Sequence, residues 1–64
     1  MNDKVYWFRG WKLRRIEGEI KGYVANLFGE ARAVILITKS ESKAYNEQPG
    51  RYMSMPIDQI REIP

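Results

Sequence analysis

Cysteine and histidine are both absent from this 64-residue chain. Without cysteine there is no disulfide to stabilise a small fold and no thiolate to bind a metal ion. Without histidine the chain lacks the most common metal ligand and the usual general base of hydrolytic enzymes. We therefore predict that the protein is not an enzyme and that it has neither a metal site nor a cofactor.

Long apolar runs are missing as well. The longest strongly apolar run covers residues 33–37, whereas a helix that crosses a bilayer needs about 20 apolar residues. The first residues do not form the apolar core of a signal peptide. From these absences we expect a cytoplasmic protein with no membrane partner.

What is present describes one small folded domain. Apolar residues make up 44% of the chain and charged residues 30%, which is the balance of an ordinary globular protein rather than a disordered one. A chain of this size buries only about 60% of its unfolded surface, so its stability margin is thin. We predict a single domain over residues 1–64, which self-association would stabilise further.

The net charge of +3 arises entirely within residues 1–22, since the rest of the chain balances five basic against five acidic residues. Residues 1–23 also carry five of the eight aromatic side chains. Basic groups interleaved with flat rings favour a polyanion with stackable bases, as in nucleic acids. The other interpretation is a solvated face whose cations are balanced by Glu17 and Glu19. The candidate nucleic-acid-binding residues are Arg9, Trp11, Lys12, Arg14, Arg15, Lys21 and Tyr23.

Several segments have the pattern of β-strands. Residues 5–9 are rich in β-forming side chains, and residues 31–39 form an apolar run that predicts a central strand buried on both faces. A further strand is predicted over residues 52–55. Pro56 should end it and open one helical turn through residues 57–60, before the chain becomes extended again at 61–63.

Residues 12–28 fit two periodicities. A period of two places Ile16, Ile20 and Val24 inside and Tyr23 outside, whereas a period of 3.6 gives an apolar helical stripe. A helix would carry Gly18 and Gly22 in its interior at a cost of about 1 kcal/mol each. In a strand the same glycines suit bulges or close approaches of backbone. We favour the strand, and the alternative is an α+β fold with a helix at about 12–28.

The aromatic trio Tyr6, Trp7 and Phe8 cannot point entirely inward if residues 5–9 form a strand, because successive side chains alternate between the faces. Either Trp7 is buried and the other two face outward, or the reverse. Exposed rings on a small domain usually mark a contact surface. We therefore name the trio as a candidate interaction surface, for a homodimer or for another protein partner.

Three stretches carry a resemblance to a known fold: residues 18–23 (GEIKGY), Ala33-Val34 after a turn, and 56–63 (PIDQIREI). Together with the order of the elements, they resemble small SH3-like β-barrels, and in layout the plasmid-borne type II dihydrofolate reductases. The resemblance implies a mainly β fold, a five-stranded barrel with one short helical turn near the C-terminus. Those reductases bind substrate through a Val-Gln-Ile-Tyr segment before the proline, where this chain has residues 52–55 (YMSM). The reductase activity is therefore not carried over.

Together these patterns predict a small basic β-barrel that binds nucleic acid through a basic and aromatic face. The alternative is a protein-interaction or regulatory module of the phage or mobile-element type, which acts through exposed aromatics and forms a homo-oligomer. A third possibility, an enzyme built as a symmetric oligomer, rests on the reductase resemblance alone.

Overall fold

Five antiparallel strands form one sheet in the computed structural model, which describes residues 3–64. The strands are β1 (Lys4–Arg9), β2 (Arg14–Ala25), β3 (Ala31–Ser40), β4 (Tyr52–Pro56) and β5 (Arg61–Glu62), in the spatial order β4-β3-β2-β1-β5. Two single turns of 3₁₀ helix cover Tyr45–Glu47 and Ile57–Gln59. The prediction of a mainly β fold with one short helical turn near the C-terminus is confirmed.

The sheet is open rather than closed into a barrel. Strands β4 and β5 form its two edges, and no ladder joins them within residues 3–64. The two residues of β5 pair with Val5 and Tyr6 of β1. So short a strand cannot also bridge to β4, which explains why the predicted closure does not occur.

Strand β2 settles the ambiguity over residues 12–28, and the helical alternative is wrong. This strand pairs with β1 on one side and with β3 on the other. Its register with β3 shifts between Ile20 and Gly22, which leaves Lys21 as an extra residue. Beyond this bulge each β2 side chain lies on the opposite face of the sheet from the one that simple alternation predicts. Tyr23 therefore lies opposite the buried Ala33. The predicted inside-outside pattern therefore applies only as far as Ile20. Tyr23 lies on the same face of the sheet as the core, although its side chain is 59% exposed.

The core lies on one face of the sheet. Strand β3 contributes Ile35, which is fully buried, while its neighbours Val34 and Leu36 on the opposite face are only half-buried. The prediction that this strand is buried on both faces is thus wrong, because no element of the described chain covers the outer face. The buried side chains are Val5, Trp7, Ile16, Ala33, Ile35, Ile37 and Met55.

Candidate functional site

The turn between β1 and β2 presents an exposed tryptophan. Gly10 and Leu13 both adopt positive φ angles, of 72° and 51°, and the Leu13 N–H donates to the Gly10 carbonyl at 3.1 Å. The turn leaves the Trp11 side chain 88% exposed, with the Lys12 ammonium 5.2 Å from the ring centroid. An indole with a cation over one face is thus held out into solvent.

The loop that follows β3 lies beside this turn, because two hydrogen bonds connect it to the start of β2. The Arg15 N–H donates to Glu41 Oε1 and the Glu41 N–H donates to the Arg15 carbonyl, both at 2.9 Å. Arg14 also donates from Nη1 to the Glu41 carbonyl at 3.3 Å. The loop and the turn therefore form one continuous surface.

Glu47 holds the same loop from within. Its carboxylate is buried and accepts hydrogen bonds from Arg9 Nε at 2.5 Å and from Ser42 Oγ at 2.7 Å. Gln48 Nε2 donates to the carbonyls of Ser42 and Ala44 at 2.8 and 2.9 Å. Sequence reasoning did not find this contact, since Arg9 and Glu47 are 38 residues apart and Glu47 stands in a polar loop.

Glu47→Gln should lower the free energy of unfolding by about 1–2 kcal/mol, because it removes the charge that faces Arg9 in a site that excludes much of the water. The Arg9 side chain is half exposed, and solvent screening keeps the loss below that of a fully buried pair. Urea denaturation measures the change. The control is Glu19→Gln, whose partner Lys21 is on the surface, and its loss should stay below about 0.5 kcal/mol. Equal losses in both variants would contradict the anchoring role of Glu47.

A second exposed ring lies in this loop. The Tyr45 side chain is 77% exposed, and the Arg51 guanidinium lies 4.1 Å from its ring centroid. The end of the loop is attached to β3, since the Gly50 N–H donates to the Ile37 carbonyl and the Ile37 N–H donates to the Arg51 carbonyl, both at 2.9 Å. Tyr45 is therefore at the same end of the sheet as Trp11.

We call this end of the molecule, formed by residues 9–17 and 39–51, the basic end. It contains seven cations and three carboxylates, whereas the rest of the described chain contains four cations and five carboxylates. The excess positive charge thus belongs to a region built from two separate segments rather than to the N-terminal third alone. The seven cations are Arg9, Lys12, Arg14, Arg15, Lys39, Lys43 and Arg51.

Carboxylates neutralise only some of these cations. Arg9 pairs with Glu47, and Arg15 pairs with Glu17 at 3.1 Å. Within residues 3–64 no carboxylate lies within 4.0 Å of the charged groups of the other five, which include Lys12, Arg14 and Lys43. The cations without an ion pair are therefore concentrated around the turn and the loop.

The structure brings together five of the seven candidate nucleic-acid-binding residues and separates two. The five at the basic end are Arg9, Trp11, Lys12, Arg14 and Arg15. Lys21 is seven residues beyond Arg14 along β2, roughly 20 Å away at strand spacing, and its ammonium contacts Glu19 at 3.0 Å. Tyr23 lies still further along, beside a groove of about 220 Å³ that Ile57 and Ile60 also line. The residues missed at this site are Lys43, Tyr45 and Arg51.

The aromatic trio of β1 divides between the two faces of the sheet. Trp7 is a core residue, so its place in the candidate interaction surface is corrected. The rings of Tyr6 and Phe8 meet edge to face on the outer side, with centroids 5.8 Å apart. The Arg15 guanidinium lies 4.1 Å from the Tyr6 ring centroid, which leaves the half-exposed Phe8 as the more accessible ring.

The described residues, 3–64, contain neither a metal-ligating cluster nor a membrane-spanning helix. No group of three or more His, Cys, Asp or Glu side chains in this range is placed to hold a metal ion. The same residues contain no helix whose length and apolar character would let it cross a membrane.

Comparison of the chain with family models, curated proteins and solved structures finds no match. The resemblance to SH3-like barrels therefore stays a prediction.

Proposed function

We propose that this protein is a small nucleic-acid-binding module and that the basic end is its binding surface. The observation that carries the proposal is the exposed Trp11 ring on a defined turn, next to Lys12 and Arg14, neither of which has an ion pair in the described chain. Exposed rings stack with bases, and cations of this kind bind phosphates with release of counterions.

The contacts within the basic end indicate that some of its cations position the structure and others are available to bind phosphates. Arg9 and Arg15 are engaged by Glu47 and Glu17, so we assign them a positioning role in holding the loop and the strand. Lys12 and Arg14, with Lys43 of the loop, remain available for phosphates. A surface that is ordered before binding loses less conformational entropy when the ligand arrives. Nucleic acid as the ligand agrees with the cytoplasmic location that the sequence predicts.

The salt dependence of binding tests this proposal. Three available cations should give a plot of log K against log salt with a slope of roughly −2 for a single strand. Lys12→Ala and Arg14→Ala should each weaken binding and reduce the magnitude of the slope by about 0.7. Fluorescence anisotropy of a labelled oligonucleotide, titrated at several salt concentrations, measures both quantities.

The matched control is Lys21→Ala, which removes the same charge from a side chain that already has Glu19 as its partner. It should leave the slope unchanged. Absence of binding at low salt would refute the proposal. If Lys21→Ala lost as much affinity as Lys12→Ala, the binding surface would have to extend to the middle of β2 and would not be confined to the basic end.

A second candidate function, protein–protein contact, is favoured by the hairpin between β2 and β3. Leu27 and Phe28 at its tip are 101% and 88% exposed. The loop is nevertheless ordered, since Asn26 Oδ1 accepts hydrogen bonds from the N–H groups of Phe28 and Glu30 at 2.9 and 3.0 Å. Two large apolar side chains held outward by a defined loop are typical of a contact surface.

This second function is of the same class as the interaction or regulatory module that the sequence predicts as a homo-oligomer, but its surface is different, since the sequence named Tyr6, Trp7 and Phe8. Light scattering tests it by measuring the molecular mass of the native chain and of the double variant Leu27→Ser, Phe28→Ser. A dimer that the double variant converts to a monomer supports the contact. A monomeric native chain would contradict self-association through this tip.

A further inference from the structure

We infer, resting on the proposed function, that the basic end binds an unpaired nucleic-acid strand by stacking bases on Trp11 and Tyr45, rather than a duplex. The two rings stand on neighbouring loops at the same end of the sheet. Each belongs to a segment that backbone hydrogen bonds attach to a strand.

Both rings have the same local arrangement. The Lys12 ammonium lies over Trp11 at 5.2 Å and the Arg51 guanidinium lies over Tyr45 at 4.1 Å from the ring centroid. The rings are otherwise largely exposed, so the face opposite the cation is open to a base. A base stacked on that open face would lie on the side of the ring away from the cation, and the cation on the other face strengthens the stack electrostatically.

An open ring face is useful only to a base whose own face is accessible. In a duplex each base is covered by its neighbours, and stacking it on a protein ring requires that it first be pulled out. In an unpaired strand the faces are accessible, and successive bases stack on aromatic side chains with little sequence preference. Two exposed rings therefore fit a short stretch of unpaired strand.

The described chain also lacks the usual means of reading a duplex. Its helical segments within residues 3–64 are single 3₁₀ turns of three residues, too short to occupy a major groove. The β1–β2 hairpin is not a separate two-stranded ribbon, since β3 and β5 flank it on both sides. Moreover, the three carboxylates among the seven cations of the basic end dilute the charge that a duplex backbone would meet.

The test compares two labelled probes of equal length by fluorescence anisotropy at low salt, a run of about 12 thymidines and a blunt duplex of mixed sequence. A run of uridines in a third arm compares RNA with DNA. We expect the unpaired probes to bind at least about tenfold more tightly than the duplex. Trp11→Ala and Tyr45→Ala should each weaken binding to them about fivefold or more, while Trp11→Phe keeps most of the affinity.

Tyr23→Ala is the matched control, because it removes another largely exposed ring that lies away from the basic end, near the far end of β2, and it should leave the affinity unchanged. Folding of Trp11→Ala can be checked from the emission of Trp7, which is then the only tryptophan and is buried. Equal affinity for the duplex and the unpaired strand would overturn the inference and leave the proposed function intact. The same holds if the ring variants have no effect while Lys12→Ala still weakens binding. No binding to any probe overturns both.

Discussion

Gly18→Ala should remove a large part of the stability of this protein, with a loss of about 3 kcal/mol in the free energy of unfolding. A Cβ atom at Gly18 would lie 2.5 Å from Ile35 Cγ2 and 2.6 Å from the Leu36 carbonyl oxygen. Ile35 is fully buried, and Leu36 belongs to the β3 backbone paired with β2, so neither can move without disturbing the sheet. Overpacking of this kind costs about 1–3 kcal/mol, and contact with backbone puts it at the upper end. A chain of this length has only about 3–10 kcal/mol in total.

Gly22→Ala is the control for this prediction, since Gly22 lies in the same strand and has no atom within 4 Å of its added Cβ. Its φ angle is not positive, so alanine fits without strain. The stability of this variant should stay the same or rise by about 0.4–1 kcal/mol, because alanine has fewer conformations in the unfolded chain. Urea denaturation followed by tryptophan emission measures both variants. Equal losses of stability in the two variants would show that any side chain in this part of β2 is unfavourable. That result would contradict the explanation by close approach of Gly18 to β3.

Trp7→Ala should abolish cooperative unfolding. Trp7 is 2% exposed and is the largest of the fully buried side chains. Truncation of a buried tryptophan to alanine costs about 3–5 kcal/mol, from lost burial and from the cavity that remains. In a domain with one small core that loss is comparable to the whole stability. Thermal melting followed by far-UV circular dichroism tests this without relying on the emission of the residue being changed.

Trp7→Phe should be far milder, with a loss of about 1 kcal/mol. The Trp7 indole N–H is buried and has no hydrogen-bond partner in the described chain. Phenylalanine keeps most of the ring and removes that unsatisfied donor, and this gain offsets part of the lost volume. Trp11→Phe, at an exposed position, should leave the melting temperature unchanged. A loss for Trp7→Phe as large as that for Trp7→Ala would show that the indole nitrogen makes an interaction essential to the fold.

Local chemistry explains why the strands could be predicted. The apolar run of β3 and the aromatic cluster of β1 favour extended backbone on their own, and Pro56 ends β4 and precedes the helical turn, as expected from its fixed φ and missing N–H. Residues 12–28 were different, because their apolar positions satisfy two periods at once. Pairing with β1 and β3 decides that segment, and the tight fit of Gly18 against Ile35 shows how closely the strands are matched.

The bulge at Lys21 marks where sequence patterns stopped being sufficient. Alternation predicts that Tyr23 faces the same side as Glu17 and Glu19, and one extra residue in β2 reverses it. A register shift depends on how two strands align, which no single segment encodes. The same holds for the open sheet, since the shortness of β5 became evident only once its pairing with β1 was known.

The sequence by itself determined the class of fold, the order of the strands along the chain and the presence of a basic and aromatic segment, because these follow from side-chain types and their spacing. Only the tertiary structure decided which of those side chains meet. It buried Trp7, moved Lys21 and Tyr23 away from the turn, and brought in Lys43, Tyr45 and Arg51 from a loop that the sequence presents as merely polar. The reason is that a binding surface depends on contacts between residues far apart in the chain, such as Arg9 and Glu47, and such contacts leave no local signal.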